Sequence, residues 1–405
     1  MQHRLQANTI GSAPVHPYTL DGTPVVLMID NNNDGTIQPL TDKVYLYTGM
    51  RRGGKHYYAL NITDYEAPEM LWSINSGDAD FSELAQTWSD PVPIWIRYDD
   101  IGTEVEKLAL IFGGGFNGDD DGDGIDLGKD ERDDADPTFT GTNDDEGNAI
   151  FIVDAETGEL IWKASGAGTG ITGSISDSLY FHSEMNDSIP AKVVAMNATN
   201  SSDEYHDRAY VGDTGGVIWR VDFSNVDRSL WKVTRLANLG RHDTFADQTH
   251  DRRFFHAADF VLSQDSNGAF DGVVIASGNR TNPLADTTDN YLYLIKDRNT
   301  FSAPSTESPV SHADLQDLTN NCLQDNDPSD CDNFDVLTNT VPALSSGWKL
   351  KLETCTDETV TGSCGEKGLS QPLVLFGKIF FNSYVPPLSQ ESAPICSPEE
   401  GSGQS

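Results

Sequence analysis

Apolar residues along this chain come in short runs broken by Gly, Asp, Asn and Pro, and no long helical stripe is present. The pattern is sharpest at 149–165, AIFIVDAETGELIWKAS. An apolar run from Ile150 to Val153 ends on Asp154, the turn Ala155-Glu156-Thr157-Gly158 follows, and a second run closes on Trp162. Two such runs around a turn with Gly predict one β-hairpin. The same grammar returns at 57–72 (YYALNITDYEAPEMLW, with Asn61 in the Asp place and Trp72 closing) and at 217–231 (VIWRVDFSNVDRSLW, with Asp222 and Trp231). A worn copy stands at 291–301, YLYLIKDRNTF, with Asp297 near the turn. A hairpin reused with a closing aromatic is the mark of β-propeller blades.

Further strands are predicted around these copies. They are 16–29, 43–50, 87–97 with 107–112, 188–196, 208–223, 251–261, 273–279, 347–352 and 368–384. No segment of helical period has useful length, so the fold is predicted to be all-β, a propeller in one domain over 1–405. Two stretches interrupt it. Residues 113–148 form an acidic loop insertion too polar for a core strand, and 310–345 form a polar, Cys-bearing insertion. Residues 386–405 read as a flexible tail. The N-terminus MQHRLQANTIGSAP has no apolar leader region, so either a signal was left out or this is a piece of a longer chain; with Cys396 left over as well, truncation at both ends is expected.

Charge narrows the partners. The 405 residues carry 64 acidic against 26 basic side chains, a formal net charge of -38. Phosphate-rich nucleic acid and anionic membrane surfaces would be repelled. No apolar run approaches the roughly 20 residues of a membrane-spanning helix. The five cysteines all fall in the last quarter. Cys322 and Cys331 flank one polar loop, Cys355 and Cys364 another, and Cys396 is left over. Cysteines closing short polar loops suit disulfides in an oxidising compartment; zinc is the rival, but no C-x-x-C is present.

Two acidic loops carry alternating oxygen donors. In one, Asp30, Asn32 and Asp34 fill the first, third and fifth places, with Gly35 sixth and the carbonyl of Thr36 seventh; Gln38 and Thr41 close it badly. In the other, Asp119, Asp121 and Asp123 do the same, with Gly124 sixth, the carbonyl of Ile125 seventh and Asp130 twelfth. Calcium takes six to eight hard oxygens, and every-other-residue spacing around a Gly turn supplies them. Both loops are therefore candidate Ca2+ sites, against the alternative of solvated Asp/Asn/Gly turns. Gly113-x-Gly115-x-x-Gly118 matches a dinucleotide fingerprint by letter but runs into acids rather than a helix, so it reads as a strand-ending glycine turn. Arg51-Arg52-Gly53-Gly54 reads as a tight blade turn that could also hold an anion. No hydrolase elbow G-x-S-x-G and no H-E-x-x-H occurs. The cluster Asp251, Arg252, Arg253 and His256 reads as ordinary blade polar contacts, and Trp72, Trp162, Trp219 and Trp231 as core.

Taken together, certain segments resemble the C-terminal propeller of the PilY-type proteins of type IV pili. They are HPYTLDGTPVV (16–26), DKVYLYTGMRRGGKHYYALNIT (42–63), QTWSDPVP (86–93), IFGGGF (111–116), GNAIFIVDAETGELIW (147–162), DRAYVGDTGGVIWRVDF (207–223), RRFFHAADFV (252–261), SGNR (277–280) and PLVLFGKIFFNSYVP (372–386). They run in order over nearly the whole chain. The resemblance implies a modified seven-bladed propeller, extracellular, at the pilus tip or outer membrane. It implies no enzyme but a factor that meets minor pilins, supports pilus extension, opposes retraction (and so bears on twitching motility) and adheres to host or abiotic surfaces. It also implies regulation by calcium. The family's calcium loop precedes the strand RAYVGD, where this chain reads NATNSSDEYHD (197–207). Asn197, Asp203 and Asp207 remain, but the spacing is two residues longer and the glycine is gone. Rival readings are a quinone-dependent propeller dehydrogenase, which shares the Asp-x-x-x-Gly and Trp pattern but needs a cofactor-stacking Trp and a vicinal cysteine pair or its equivalent over a central calcium, where this chain has no adjacent cysteines, and an adhesin without a role in pilus dynamics.

Overall fold

Most of the predicted strand-forming runs contain a strand. The structure, a computed structural model, describes residues 18–118, 144–166, 176–198, 203–240, 248–319, 345–352 and 364–386, and the backbone of 402–404. Among the described residues there is no α-helix, only four single-turn 3-10 segments. The chain divides into two compact units, 1–209 with 221–233 and 210–220 with 234–405.

The first unit holds two blade-like sheets. One is β1 (Val25–Ile29), β2 (Lys43–Gly49), β3 (His56–Asn61) and β4 (Glu69–Asn75), in that order and antiparallel. The other is β5 (Val92–Asp100), β6 (Thr103–Gly113), β7 (Ala149–Asp154), β8 (Leu160–Gly166) and β9 (Leu179–His182), with β9 parallel to β8. A third sheet has the order β10 (Val194–Met196), β11 (Arg208–Gly212), β12 (Val217–Asp222), β13 (Lys232–Asn238) and β17 (Val310–Ser311). The second unit holds β14 (Asp259–Asp265), β15 (Gly268–Ala276), β16 (Tyr291–Asp297), β19 (Gly347–Lys351) and β18 (Gln316–Asp317). It also holds two small sheets, β20 (Lys367–Gly368) with β23 (Ser383–Val385) and β24 (Ser402–Gln404), and β21 (Leu373–Leu375) with β22 (Lys378–Phe380).

Burial follows sheet position. In β5, Ile94, Ile96 and Tyr98 are buried while Trp95, Arg97 and Asp99 face out, the two-residue alternation of a strand with one dry face. In β7 and β12 every residue is buried, as expected of strands covered on both faces. One core gathers Tyr45, Tyr47, Tyr57, Trp72, Phe81, Phe112 and Phe151; another gathers Val274, Ala276, Leu292 and Leu352. The hairpin-closing aromatics lie inside. Trp162 is fully buried and meets Trp231 edge-on at 5.9 Å, and Trp231 also meets Tyr98 and Phe223.

The Asp of the repeat grammar has a mechanical role. Asp154 Oδ1 accepts the Glu156 and Thr157 amides at 2.8 and 3.0 Å, folding the turn onto its own side chain. Asn61 and Asp297 do likewise, each accepting the amide two residues on. Gly158 has φ of 75°, and a Cβ there would stand 2.9 Å from the Trp72 ring. Gly115, at φ of 102°, lies so close to the Gln86 carbonyl that a Cβ would stand 2.1 Å away; the glycine run does end β6 at Gly113, but it continues through isolated bridges of Gly115 to Ile189 and Phe116 to Gln86 rather than through a tight turn.

Several strand predictions need correction. The ladder of 87–97 starts only at Val92, and that of 188–196 only at Val194. Residues 251–258 are buried except for the half-buried His256 but form no ladder, and the strand starts at Asp259. The copy at 291–301 is no hairpin: β16 pairs with β15 and with β19, the latter reached across the Cys-bearing stretch. The start of that stretch is also structured, since β17 and β18 add to sheet edges in parallel.

Candidate functional site

The loop between β1 and β2 contains the first candidate donor set. Asp30 Oδ2 accepts the Gly35 amide at 2.8 Å, which brings the sixth place back over the first. Asn33 and Gly35 take φ of 55° and 79°, the left-handed conformation this reversal requires. Asp34 accepts the Thr36 amide at 2.8 Å and the Gln38 side-chain amide at 2.9 Å, while Asn32 Oδ1 accepts the Asp34 amide at 3.0 Å. Asp30 Oδ1 is buried without a hydrogen-bond partner. An orphaned carboxylate oxygen is costly to desolvate and fits a cation.

The residue that closes this loop was not foreseen. Asp42, 3% exposed, accepts the amides of Gln38 and Asn31 at 2.7 and 3.1 Å. Those amides, Gln38 first, hold its carboxyl below the usual range. It stands one place beyond the twelfth position that a calcium-loop template inspects, so the template lands on Thr41 and finds a poor closing ligand.

The second candidate loop, with Asp119, Asp121, Asp123, Ile125 and Asp130, lies outside the described residues. At the third, the Asn197 side-chain nitrogen donates to the Asp203 backbone oxygen at 2.9 Å and to Asp203 Oδ1 at 3.2 Å. Asp207 Oδ1 accepts the Ala198 amide at 2.7 Å. The structure thus brings Asn197, Asp203 and Asp207 into one neighbourhood, but with nitrogen facing Asp203 and amides on the carboxylates. Asp203, Tyr205, His206 and Asp207 line a cavity of about 130 Å³ with Arg97, whose guanidinium lies 5.1 Å from the centre of the Tyr205 ring. His206 docks this segment on β5: its amide donates to the Trp95 carbonyl at 2.8 Å, and its Nδ1 accepts the Trp95 amide at 3.2 Å. Among the described residues no three His, Cys, Asp or Glu side chains cluster closely enough to hold a metal on their own. At 30–36 only two carboxylates are present, so amide and carbonyl oxygens would complete any cation shell there.

A wider cleft of about 400 Å³ is lined by Trp95, Lys43, Lys107, Asp154 and Glu156, among others. Each of its two lysines is paired with a carboxylate: Lys107 meets Asp154 at 2.8 Å, Lys43 meets Glu156 at 2.5 Å, and Tyr45 donates to Glu156 at 2.9 Å, while Glu106 also lines the cleft. Lys43, above all, holds Glu156 below its ordinary range. Burial works against ionising Asp154, but Lys107 and two turn amides outweigh it. Both groups are ionised bases in ion pairs, an arrangement that holds the hairpin turn.

Cys364 is disulfide-bonded, and the other four cysteines, its partner among them, lie outside the described residues. No helix among the described residues is long and apolar enough to cross a membrane.

No family profile matches the chain. A type IV pilus biogenesis factor PilY1 homologue from Xylella fastidiosa (strain Temecula1) is 24% identical over 387 residues, covering 93% of this chain. PilY1 of Pseudomonas aeruginosa (strain PAO1) is 26% identical over 208 residues, covering 51% of this chain. The chain spans only 22% and 13% of the length of these two relatives. The crystal structure of the Pseudomonas aeruginosa PilY1 C-terminal domain superposes with a TM-score of 0.58 at 17% identity, covering 95% of this chain and 71% of that one. At that identity the likeness speaks for the fold, an all-β propeller.

Proposed function

We infer that this chain, a PilY1-type C-terminal domain by sequence and by fold, serves as a non-enzymatic type IV pilus biogenesis factor. The observation that carries the reading is the coincidence of two likenesses over nearly the same extent, 93% of the chain in sequence and 95% in fold. On this reading the domain is exported, and the disulfide at Cys364 is in keeping with an oxidising compartment. It works at the pilus tip or outer membrane, where it meets minor pilins, supports extension against retraction and contacts surfaces. Blotting sheared, washed pili for this chain tests the placement. The chain is expected in the pilus fraction in fixed ratio to pilin; its recovery only in the cytoplasmic fraction would overturn the reading.

Calcium regulation belongs to the same proposal. Asp30, Asn32, Asp34 and the Thr36 carbonyl would hold the ion in the loop between β1 and β2, where the orphaned Asp30 oxygen supports the fit. Asp119, Asp121, Asp123, Ile125 and Asp130 would form a second site, and Asn197, Asp203 and Asp207 a third with a weaker donor set. Bound calcium would supply positive charge that neutralises an otherwise self-repelling acidic loop. The ordered loop would then present a fixed surface to the pilus.

A further inference from the structure

The turn between β2 and β3 carries three cations within five residues, Arg51, Arg52 and Lys55, in a chain of net charge -38. Lys55 has its acid: Glu146 at 2.5 Å. Neither arginine has a carboxylate partner among the described residues. Both are instead stacked on one indole. The guanidinium carbon of Arg51 lies 4.6 Å from the centre of the Trp88 ring and that of Arg52 lies 5.2 Å from it, so the two like charges stand within about 10 Å of each other. Arg52 also lies over Tyr18 at 5.3 Å and donates to its hydroxyl at 3.1 Å. Arg51 Nε is buried without a hydrogen-bond partner, as is Nδ1 of His56. With 64 carboxylates in the chain, two adjacent guanidiniums held together on an aromatic plate, one with an unanswered donor, call for an anion.

The backbone keeps this arrangement rigid. Thr87 Oγ1 accepts the amides of Met50 and Arg51 at 2.8 and 3.0 Å, bolting the turn to the segment that carries Trp88. A Cβ on Gly53 would stand 1.6 Å from the Thr19 carbonyl, and one on Gly49 would stand 2.7 Å from the Thr87 carbonyl. Arg51 itself takes φ of 52°, a conformation a side chain adopts only under constraint. Its side chain is thereby aimed, and the aim is toward Trp88.

We propose that Arg51 and Arg52, stacked on Trp88, form a binding site for a singly charged carboxylate, presented as a free C-terminus or an acidic side chain by a partner protein. The planar fork of a guanidinium matches a carboxylate with two parallel hydrogen bonds. The acidic field of the whole chain repels a ligand in proportion to its charge, which favours one negative charge over a phosphate with nearly two. The site is independent of the calcium loops.

The test is a titration of the whole chain, followed by the side-chain Nε–H NMR signals of the arginines, with chloride exchanged for ligand at constant ionic strength. The signals are assigned with Arg51→Lys and Arg52→Lys. The ligands are acetyl-Gly-Gly, its C-terminal amide, acetyl-aspartate amide and inorganic phosphate. Saturable shifts confined to Arg51 and Arg52 are expected with at least one of the two carboxylates and none with the neutral amide; which carboxylate binds tells C-terminus from side chain. Each Lys variant, which keeps charge and fold but loses the fork, is expected to bind about tenfold more weakly, and Arg51→Gln with Arg52→Gln not at all, at unchanged near-UV circular dichroism. Absence of saturation with both carboxylates, equal binding by the Lys variants, or tighter binding of phosphate would overturn the proposal.

Discussion

Replacing Arg220 by Met should be among the most damaging single changes in the second unit. Arg220 and the Asp297 side chain are each 1% exposed and meet at 2.6 Å. The guanidinium also donates to the carbonyls of Asn299 at 2.7 Å and Ser302 at 2.9 Å, which pins the segment after β16. Tyr210 donates to the same Asp297 oxygen at 2.8 Å and lies 3.2 Å from Asp271. Without Arg220, one buried carboxylate keeps only neutral donors. Breaking a buried pair on one side costs about 3–5 kcal/mol, because the remaining charge stays desolvated. At about 2–4 °C per kcal/mol for a unit of this size, the melting temperature should fall by roughly 6–20 °C. The double variant Arg220→Met with Asp297→Leu removes both charges and should recover at least about half of that loss. Guanidinium denaturation followed by near-UV circular dichroism reads both. A loss under about 1 kcal/mol for Arg220→Met, or strictly additive losses in the double variant, would refute the reasoning.

Other expectations follow from single sites. Gly166→Ala places a Cβ 1.6 Å from the Met185 carbonyl and should cost about 3 kcal/mol or more, whereas Gly268→Ala, with φ of 113° and open space, should cost only about 1 kcal/mol of backbone strain; thermal melts of the pair check the contrast. His312, packed 4.7 Å from Tyr291, is pushed down to about 3 by burial, then by Arg252 and Lys349. The unfolded chain binds that proton from the ordinary 6.5 downward, so stability is lost as pH falls from 6.5 towards 3, and His312→Gln should flatten this part of the stability–pH profile. Calcium in hundredfold excess over its dissociation constant should stabilise the chain by about 2.7 kcal/mol per site. If the loop between β1 and β2 holds one ion, Asp30→Asn should abolish that share of the calorimetric heat and melting shift.

The sequence was most legible where structure is local. Asp154 to Gly158 specify a turn through their own side chain and φ, so β7 was readable to within a residue and the start of β8 was marked, although β8 runs on past Trp162 to Gly166. Pairing across distance was not. One of the two partners of β16 is β19, and nothing in YLYLIKD points past the Cys-bearing stretch to Gly347–Lys351. In 251–258 the apolar letters announced burial, but buried backbone there is satisfied irregularly: Arg252 donates to the Leu239 and Asp289 carbonyls, and the Phe254 amide bonds the Asp213 carbonyl. Hydrophobicity reports dryness and not the ladder. β13, KVTRLAN, went unread because its polar letters hide a strand of which Val233, Thr234 and Ala237 are buried. Among site residues, Asp30, Asn32 and Asp34 were found by spacing, while Asp42 fell one place outside the template. Trp88 became meaningful only once Thr87 had fastened the arginine turn beside it.

The central claim, a pilus biogenesis factor, is tested most directly by counting surface pili in cells that lack this chain, with the retraction motor present and with it removed. The account predicts few or no pili when retraction operates and substantial recovery when it does not. Normal pilus numbers in cells that lack the chain but retain retraction would contradict it.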